Sequence, residues 1–143
     1  MKTFNKPRHN VLRGFTLLEL LVVIVIIGLL AGIVAPNLFR QLSSSEVTTA
    51  RAQMDSLVKA LDQYRLHTGH YPSTTQGLRA LVVSPAGETR WNGPYLRKAL
   101  PNDPWATPYN YQSPGPAGED FLLFSYGKDR SPGGSGDAAD ISW

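Results

Sequence analysis

The chain of 143 residues contains no cysteine. No disulfide can close its loops, and no thiolate can serve as a nucleophile or as a soft-metal ligand. Histidine is almost as scarce, confined to His9, His67 and His70, and neither a zinc-ligand spacing nor a nucleophile–base pair can be assembled from them. His67 and His70 read instead as residues at a helix exit. A glycine-rich phosphate loop is also missing, so nothing here handles a nucleotide. Acids are absent before Glu19, whereas Lys2, Lys6, Arg8 and Arg13 crowd the first fourteen positions. Without those four cations, ten Lys and Arg face 11 Asp and Glu, so the rest of the chain sums to −1. The sequence pI of 9.3 therefore belongs to the first few residues and gives no reason to invoke nucleic acid. Trp105, Tyr109 and Tyr111 lack the interleaved cations that a nucleic-acid platform requires, and read as core. With no active-site constellation, the expectation is a protein that is not an enzyme.

Aliphatic residues are abundant instead. Residues 15–35 are Leu, Val and Ile with Gly28 and Gly32, and contain a single charge, Glu19. At about 1.5 Å per helical residue, such a run spans roughly 30 Å of hydrocarbon. The cations before it and Arg40 as the first charge after it place the N-terminus in the cytoplasm and export the bulk of the chain. A secretory signal peptide fits less well, because the run is longer than an ordinary h-region and no small-x-small cleavage site follows it. A plain signal anchor explains everything except Glu19. A carboxylate costs a few kcal/mol in hydrocarbon and so marks a functional site with a partner to be named. Gly28 and Gly32 form a small-xxx-small pair, read either as a helix-packing contact or as glycine ordinary to membrane helices.

Beyond Pro36, where a kink or a locally melted turn is expected, the pattern becomes amphipathic. Val47, Ala50, Met54, Leu57, Leu61 and Tyr64 recur at steps of three and four between charged residues, which predicts a helix over about 44–68. Gly69 and Pro72 supply its stop. A short second helix follows near Leu81. Turns are expected at Asn92-Gly93-Pro94 and Pro101-Asn102-Asp103-Pro104. Tyr109 and Tyr111 alternate as in a half-buried strand, and 121–126 reads as a strand covered on both faces. Roughly 107 residues past the membrane suffice for one small α+β domain. In the glycine-rich segment 125–141, Asp129, Asp137 and Asp140 are either a solvated acidic loop or oxygen ligands for a hard cation; the alternation of an EF-hand is missing.

The string Gly14-Phe15-Thr16-Leu17-Leu18-Glu19 followed by an apolar run resembles the class III leader junction of type IV pilins and type II secretion pseudopilins. That resemblance implies cleavage by a prepilin peptidase after Gly14, N-methylation of Phe15, and pairing of Glu19 with the new terminal amine of a neighbouring subunit. It divides the chain into a leader over 1–14, a transmembrane helix over 15–35 and a periplasmic domain over 36–143. Within the superfamily, Tyr71-Pro72-Ser73-Thr74-Thr75-Gln76-Gly77-Leu78 and Pro101-Asn102-Asp103-Pro104-Trp105 with Pro108-Tyr109 resemble signatures of the major pseudopilin family. Ala106 departs from the glycine usual there. The implied fold is pilin-like: a long N-terminal helix packed on a small antiparallel sheet, with a C-terminal calcium loop. By the same resemblance, Ca²⁺ is a structural cofactor held by Asp129, Asp140 and the Tyr126 carbonyl, with Asp137 or Ser135 completing the shell. Gly136 and Ala138 stand where relatives often carry oxygen.

The expected function is a structural subunit that polymerises into the periplasmic pseudopilus of type II secretion and drives export of folded proteins. Its implied partners are other copies of itself, the prepilin peptidase, minor pseudopilins, and an inner-membrane assembly platform with its ATPase. A type IV pilin for adhesion or DNA uptake is one alternative, disfavoured by the missing cysteine pair. A membrane-anchored binding module that never polymerises is another.

Overall fold

The computed structural model describes residues 14–143. Lys2, Lys6, Arg8, His9 and Arg13 lie outside the described residues, as does the Asp137 side chain. Internal contacts divide the chain into two compact units, one ending at Phe39 and the other running from Arg40 to Trp143.

The first unit is helical from Leu17, where helix α1 (Leu17–Thr68) begins. Its aliphatic side chains are exposed on every side, from Leu17 through Val34, as expected of a helix whose solvent is lipid. The helix is long and apolar enough to cross a membrane by length and composition. Helical structure continues through Pro36, so of the kink or melted turn expected there the melted turn is not observed. One proline removes a single N–H from the ladder, and the residue four positions earlier, whose carbonyl the ring crowds, is Gly32. The two helical patterns of the sequence are therefore one element.

The second unit is built on the amphipathic half of α1. Ala50, Met54, Leu57, Leu61 and Tyr64 are fully buried, the stripe anticipated from their spacing, with Val47 packed at its edge. Removing such a stripe from water is the main stabilising contribution, about 1.5–3 kcal/mol for each large side chain. The helix stops where expected. Gly69 adopts φ +89°, and its N–H donates to the Arg65 carbonyl at 2.7 Å, the bond of a left-handed C-terminal cap. The Arg90 guanidinium donates to the Thr68 carbonyl and satisfies another helix-end acceptor.

Against this stripe pack Leu78, Ala80 and Leu81 of a single 3-10 turn (Leu78–Leu81), which takes the place of the expected short helix. The other side of the core is a three-stranded antiparallel sheet, β1 (Asn110–Gln112), β2 (Leu122–Ser125) and β3 (Ile141–Ser142), in the order β1-β2-β3. Tyr111 faces Leu123 and Ser125 faces Ile141 across the ladders. Strand β2 is shorter than 121–126 and is not covered on both faces. Leu123 and Ser125 are buried while Leu122 and Phe124 are only half-covered. Only one face of so narrow a sheet meets the core, and side chains alternate between faces.

Side-chain bonds fasten α1 to the later chain. Trp105 Nε1 donates to Glu46 Oε2 at 3.1 Å, Tyr109 Oη donates to Gln53 Oε1 at 2.6 Å, and Trp143 Nε1 donates to Asp55 Oδ1 at 2.9 Å. In a domain with no disulfide, these long-range contacts restrain the loops. Burial pushes the Tyr109 phenol up to about 12, with the Asp103 charge adding to it. Burial likewise raises Tyr111 to about 12.

Candidate functional site

The N-terminal junction places its residues outside and then inside a helix. Gly14 and Phe15 precede α1, and Phe15 is largely exposed. A Cβ added at Gly14 would meet nothing within 4 Å among the described residues. Thr16 is the N-cap. The Glu19 N–H donates to Thr16 Oγ1 at 3.2 Å, while Glu19 Oε2 accepts from the Thr16 N–H at 2.9 Å and from its hydroxyl at 3.1 Å. This is a capping box, two helix-end donors satisfied reciprocally.

Glu19 is therefore a helix-capping residue as well as a carboxylate at the head of an apolar run. Its intrachain partner is Thr16, and the threonine three residues before a glutamate at the head of an apolar run was a legible signal for it. Both bonds fall on Oε2, leaving Oε1 without a hydrogen-bond partner among the described residues.

The loop 101–107 carries a group that sequence reasoning treated only as part of a turn. Asp103 is 4% exposed. Its Oδ1 accepts from the N–H groups of Thr107 at 2.7 Å and Trp105 at 3.1 Å, and its Oδ2 accepts from the Ser125 hydroxyl at 2.5 Å. Ser125 Oγ, fully buried on β2, in turn accepts from the Gly127 N–H at 3.0 Å. A buried carboxylate is tolerable only when so satisfied. It ties the loop to β2 and to the start of the C-terminal segment. The adjacent Ala106 has φ 64°, in the left-handed region that glycine occupies at no steric cost.

The C-terminal loop brings Asp129 and Asp140 into one closed structure. Tyr126 opens a 3-10 turn, Gly127–Asp129, and Arg130 follows at φ 57°. Asp129 Oδ1 accepts from the Ser131 N–H at 3.1 Å. Asp140 Oδ2 accepts from the Gly133 N–H at 2.9 Å, and the Asp140 N–H donates back to the Gly133 carbonyl at 3.1 Å. Ser135 is extended and precedes a second 3-10 turn, Gly136–Ala138.

Gly134 has φ +78°, and a Cβ there would collide with the Ala138 carbonyl oxygen and lie 3.2 Å from Asp129 Oδ2. A carboxylate oxygen and a backbone oxygen thus converge on a space that a side chain would fill. Among the described residues no three His, Cys, Asp or Glu come together to hold a metal. Both converging groups are oxygens, a chemistry suited to a hard cation rather than to a nitrogen- or sulfur-seeking metal.

His67 and His70 sit at the helix exit, as the sequence indicated, and do not form a site together. His67 Nδ1 lies 3.2 Å from Tyr95 Oη, and His70 Nε2 lies 2.9 Å from Glu88 Oε2.

Comparison with known proteins agrees with the junction and the fold. The model described as "Type II secretion system (T2SS), protein G" matches residues 37–143, and the prokaryotic N-terminal methylation motif matches residues 12–35. The type II secretion system core protein G of Pseudomonas aeruginosa is 45% identical over 131 residues, covering 90% of this chain and 92% of that protein. Its namesake in Vibrio cholerae is 44% identical over 131 residues, covering 90% and 88%. Among solved structures, the major pseudopilin from the type 2 secretion system of enterohaemorrhagic Escherichia coli matches with a TM-score of 0.62 at 35% identity, covering 75% of this chain and 93% of that one. The long helix and small antiparallel sheet are thus a pseudopilin fold, and these matches favour the secretion reading over the adhesion or DNA-uptake pilin. By sequence over nearly its whole length and by fold, the chain belongs to the type II secretion system protein G family.

Proposed function

We propose that this chain, a structural subunit of the type II secretion pseudopilus, is cut between Gly14 and Phe15 by a prepilin peptidase, methylated on the Phe15 amine, and polymerised with copies of itself from the inner membrane into the periplasm. The junction at 14–16 carries this reading. Its backbone lies outside α1, its glycine meets nothing among the described residues that a Cβ would strike, and the helix behind it begins on its own capping box. Cleavage there creates an ammonium on Phe15 at the head of the apolar run, which needs a counter-charge in lipid as much as Glu19 does. The Oε1 of Glu19 on a neighbouring copy is the acceptor proposed for it, since Oε2 is held by Thr16. The cationic leader keeps the N-terminus cytoplasmic and the domain from Pro36 periplasmic.

In the periplasm, Ca²⁺ is proposed to rest on Asp129, Asp140 and the Tyr126 carbonyl, with Ser135 or Asp137 completing the shell. Its role is structural, cross-linking a loop that has no disulfide. Growth of the filament would push folded proteins toward an outer-membrane pore, with minor pseudopilins and an inner-membrane platform and its ATPase as partners.

Mass spectrometry of the mature N-terminus tests the processing step. A chain beginning with methylated Phe15 is expected, and an intact or unmethylated terminus in cells with an active peptidase overturns it. A Glu19→Ala variant should be inserted and processed yet yield little filament, and normal filament yield would remove the assembly role of Glu19.

A further inference from the structure

The segment 84–90 returns from the 3-10 turn at Leu78–Leu81 to the end of α1 with no helix or strand of its own. Two of its residues fasten it there. The Arg90 guanidinium donates to the Thr68 carbonyl, and Glu88 Oε2 lies 2.9 Å from His70 Nε2. Glu88 is also bound within its own turn: its Oε1 accepts from the Arg90 N–H at 3.2 Å, and its N–H donates to the Pro85 carbonyl at 3.2 Å. The two ends of the His70–Glu88 contact differ in cover, the histidine side chain being 51% exposed and the glutamate 11%. A carboxylate so covered is costly unless its oxygens are met by donors.

The second ring nitrogen of His70 decides whether the first is such a donor. Nδ1 lies 2.9 Å from the Tyr71 carbonyl oxygen, which can only accept, so the single proton of a neutral ring belongs on Nδ1. Nε2 would then point a bare lone pair at the Glu88 carboxylate. Two acceptors at 2.9 Å repel, whereas a proton between them makes a charge-assisted hydrogen bond.

We propose that His70 is held as an imidazolium between the Tyr71 carbonyl and the Glu88 carboxylate, and that the proton on Nε2 keeps the segment 84–90 clasped to the end of α1. From α1, Tyr64 meets the His70 ring edge-on at 5.9 Å, with Tyr95 packed on Tyr64 in turn. Burial, and then the Glu88 charge, raises the Tyr64 phenol above its ordinary value, so it keeps its proton while a histidine titrates. The remaining charge at the clasp is Arg90, whose guanidinium lies beside Gly69. Loss of the Nε2 proton turns the contact repulsive and frees Glu88, and with it the amide of Arg90 that Glu88 holds. Because the clasped form binds the proton, its contribution is present in acid and is lost as pH rises through the histidine range, about 5–8.

The clasp needs neither processing nor a second copy of the chain, so its failure leaves the pseudopilus reading untouched. It is tested on the full-length chain in detergent with nitrogen-15 in its histidines. There are three, and His9→Gln and His67→Gln variants assign their signals. His70 is expected to carry protons on both ring nitrogens at pH values where His67 already shows one bare nitrogen. Solvent exchange of the Arg90 amide, divided by that of an unstructured peptide at the same pH, is expected to rise about threefold or more as the His70 proton leaves. Glu88→Gln offers a partner to either form of the ring, since its amide donates to a bare nitrogen and its oxygen accepts from a protonated one. In that variant the Arg90 amide should no longer follow the titration of His70. Loss of the second His70 proton together with or before that of His67 overturns the proposal. So does an Arg90 amide indifferent to that loss in the parent, or one that follows it equally in Glu88→Gln.

Discussion

Replacing Asp103 by alanine tests whether one buried carboxylate holds the loops of this domain in place of a disulfide. The substitution leaves three donors without their acceptor: the buried Trp105 N–H, the part-buried Thr107 N–H and the hydroxyl of fully buried Ser125. A buried donor left unsatisfied costs about 1–3 kcal/mol. Thr107 is only partly shielded and the Ser125 hydroxyl can rotate, so their shares fall toward the lower end, and the total is about 3–5 kcal/mol. For a domain near 100 residues, that lowers Tm by about 12–25 °C. The assay is thermal and urea unfolding of the domain beginning at Arg40, followed by circular dichroism. Asp120→Ala serves as the control, because its ion pair with Arg65 joins side chains that are 64% and 50% exposed, and such a pair contributes less than about 1 kcal/mol. Asp103→Asn keeps an acceptor for the two N–H groups and should fall between parent and alanine variant. If Asp103→Ala unfolds within about 1 kcal/mol of the parent, the network is not what fastens the loop to β2.

Ala106→Gly should stabilise the domain by about 0.5–1 kcal/mol, since relief of the left-handed backbone at φ 64° exceeds the extra chain entropy of glycine; an unchanged or lower urea midpoint would contradict this. Tyr109 and Tyr111 bind their phenolic protons more tightly folded, at about 12, than unfolded, at 10.0. Their contribution is complete below pH 10 and is lost as pH rises through 10 to 12, so Tm should fall across that window, and Tyr109→Phe should flatten part of the fall. Chelation should lower the Tm of the domain in proportion to RT ln(1 + [L]/Kd), and Asp129→Ala should abolish that sensitivity; a Tm indifferent to both removes the calcium proposal. Gly134→Ala should destabilise the loop by about 1–3 kcal/mol, because a Cβ at φ +78° meets the Ala138 carbonyl, with urea unfolding as the measure.

Much of this was legible along the chain because the forces involved are local or periodic. The stripe from Ala50 to Tyr64 could be read residue by residue, since helix neighbours lie three and four apart whatever they pack against. Gly69 announced its cap for the same reason. The capping box of Thr16 and Glu19 is equally local, a threonine and a glutamate three apart at the head of a helix. At Pro36 the helix continues, since one missing donor does not end a helix whose other bonds persist.

The amino-acid order by itself settled the apolar run, the N-terminal methylation motif, the amphipathic helix and the family, all of which depend on residue type at fixed spacing. Tertiary structure alone decided that Asp103 would find Ser125 across 22 residues, Trp105 find Glu46 across 59, and Trp143 find Asp55 across 88. It also decided that the strand predicted over 121–126 would bury only Leu123 and Ser125. A hydrogen-bonding side chain carries no mark of a distant partner. Which of many donors it meets is chosen only when burying the α1 stripe brings sheet and loops together, and the buried polar groups must then be satisfied by whatever lies within reach.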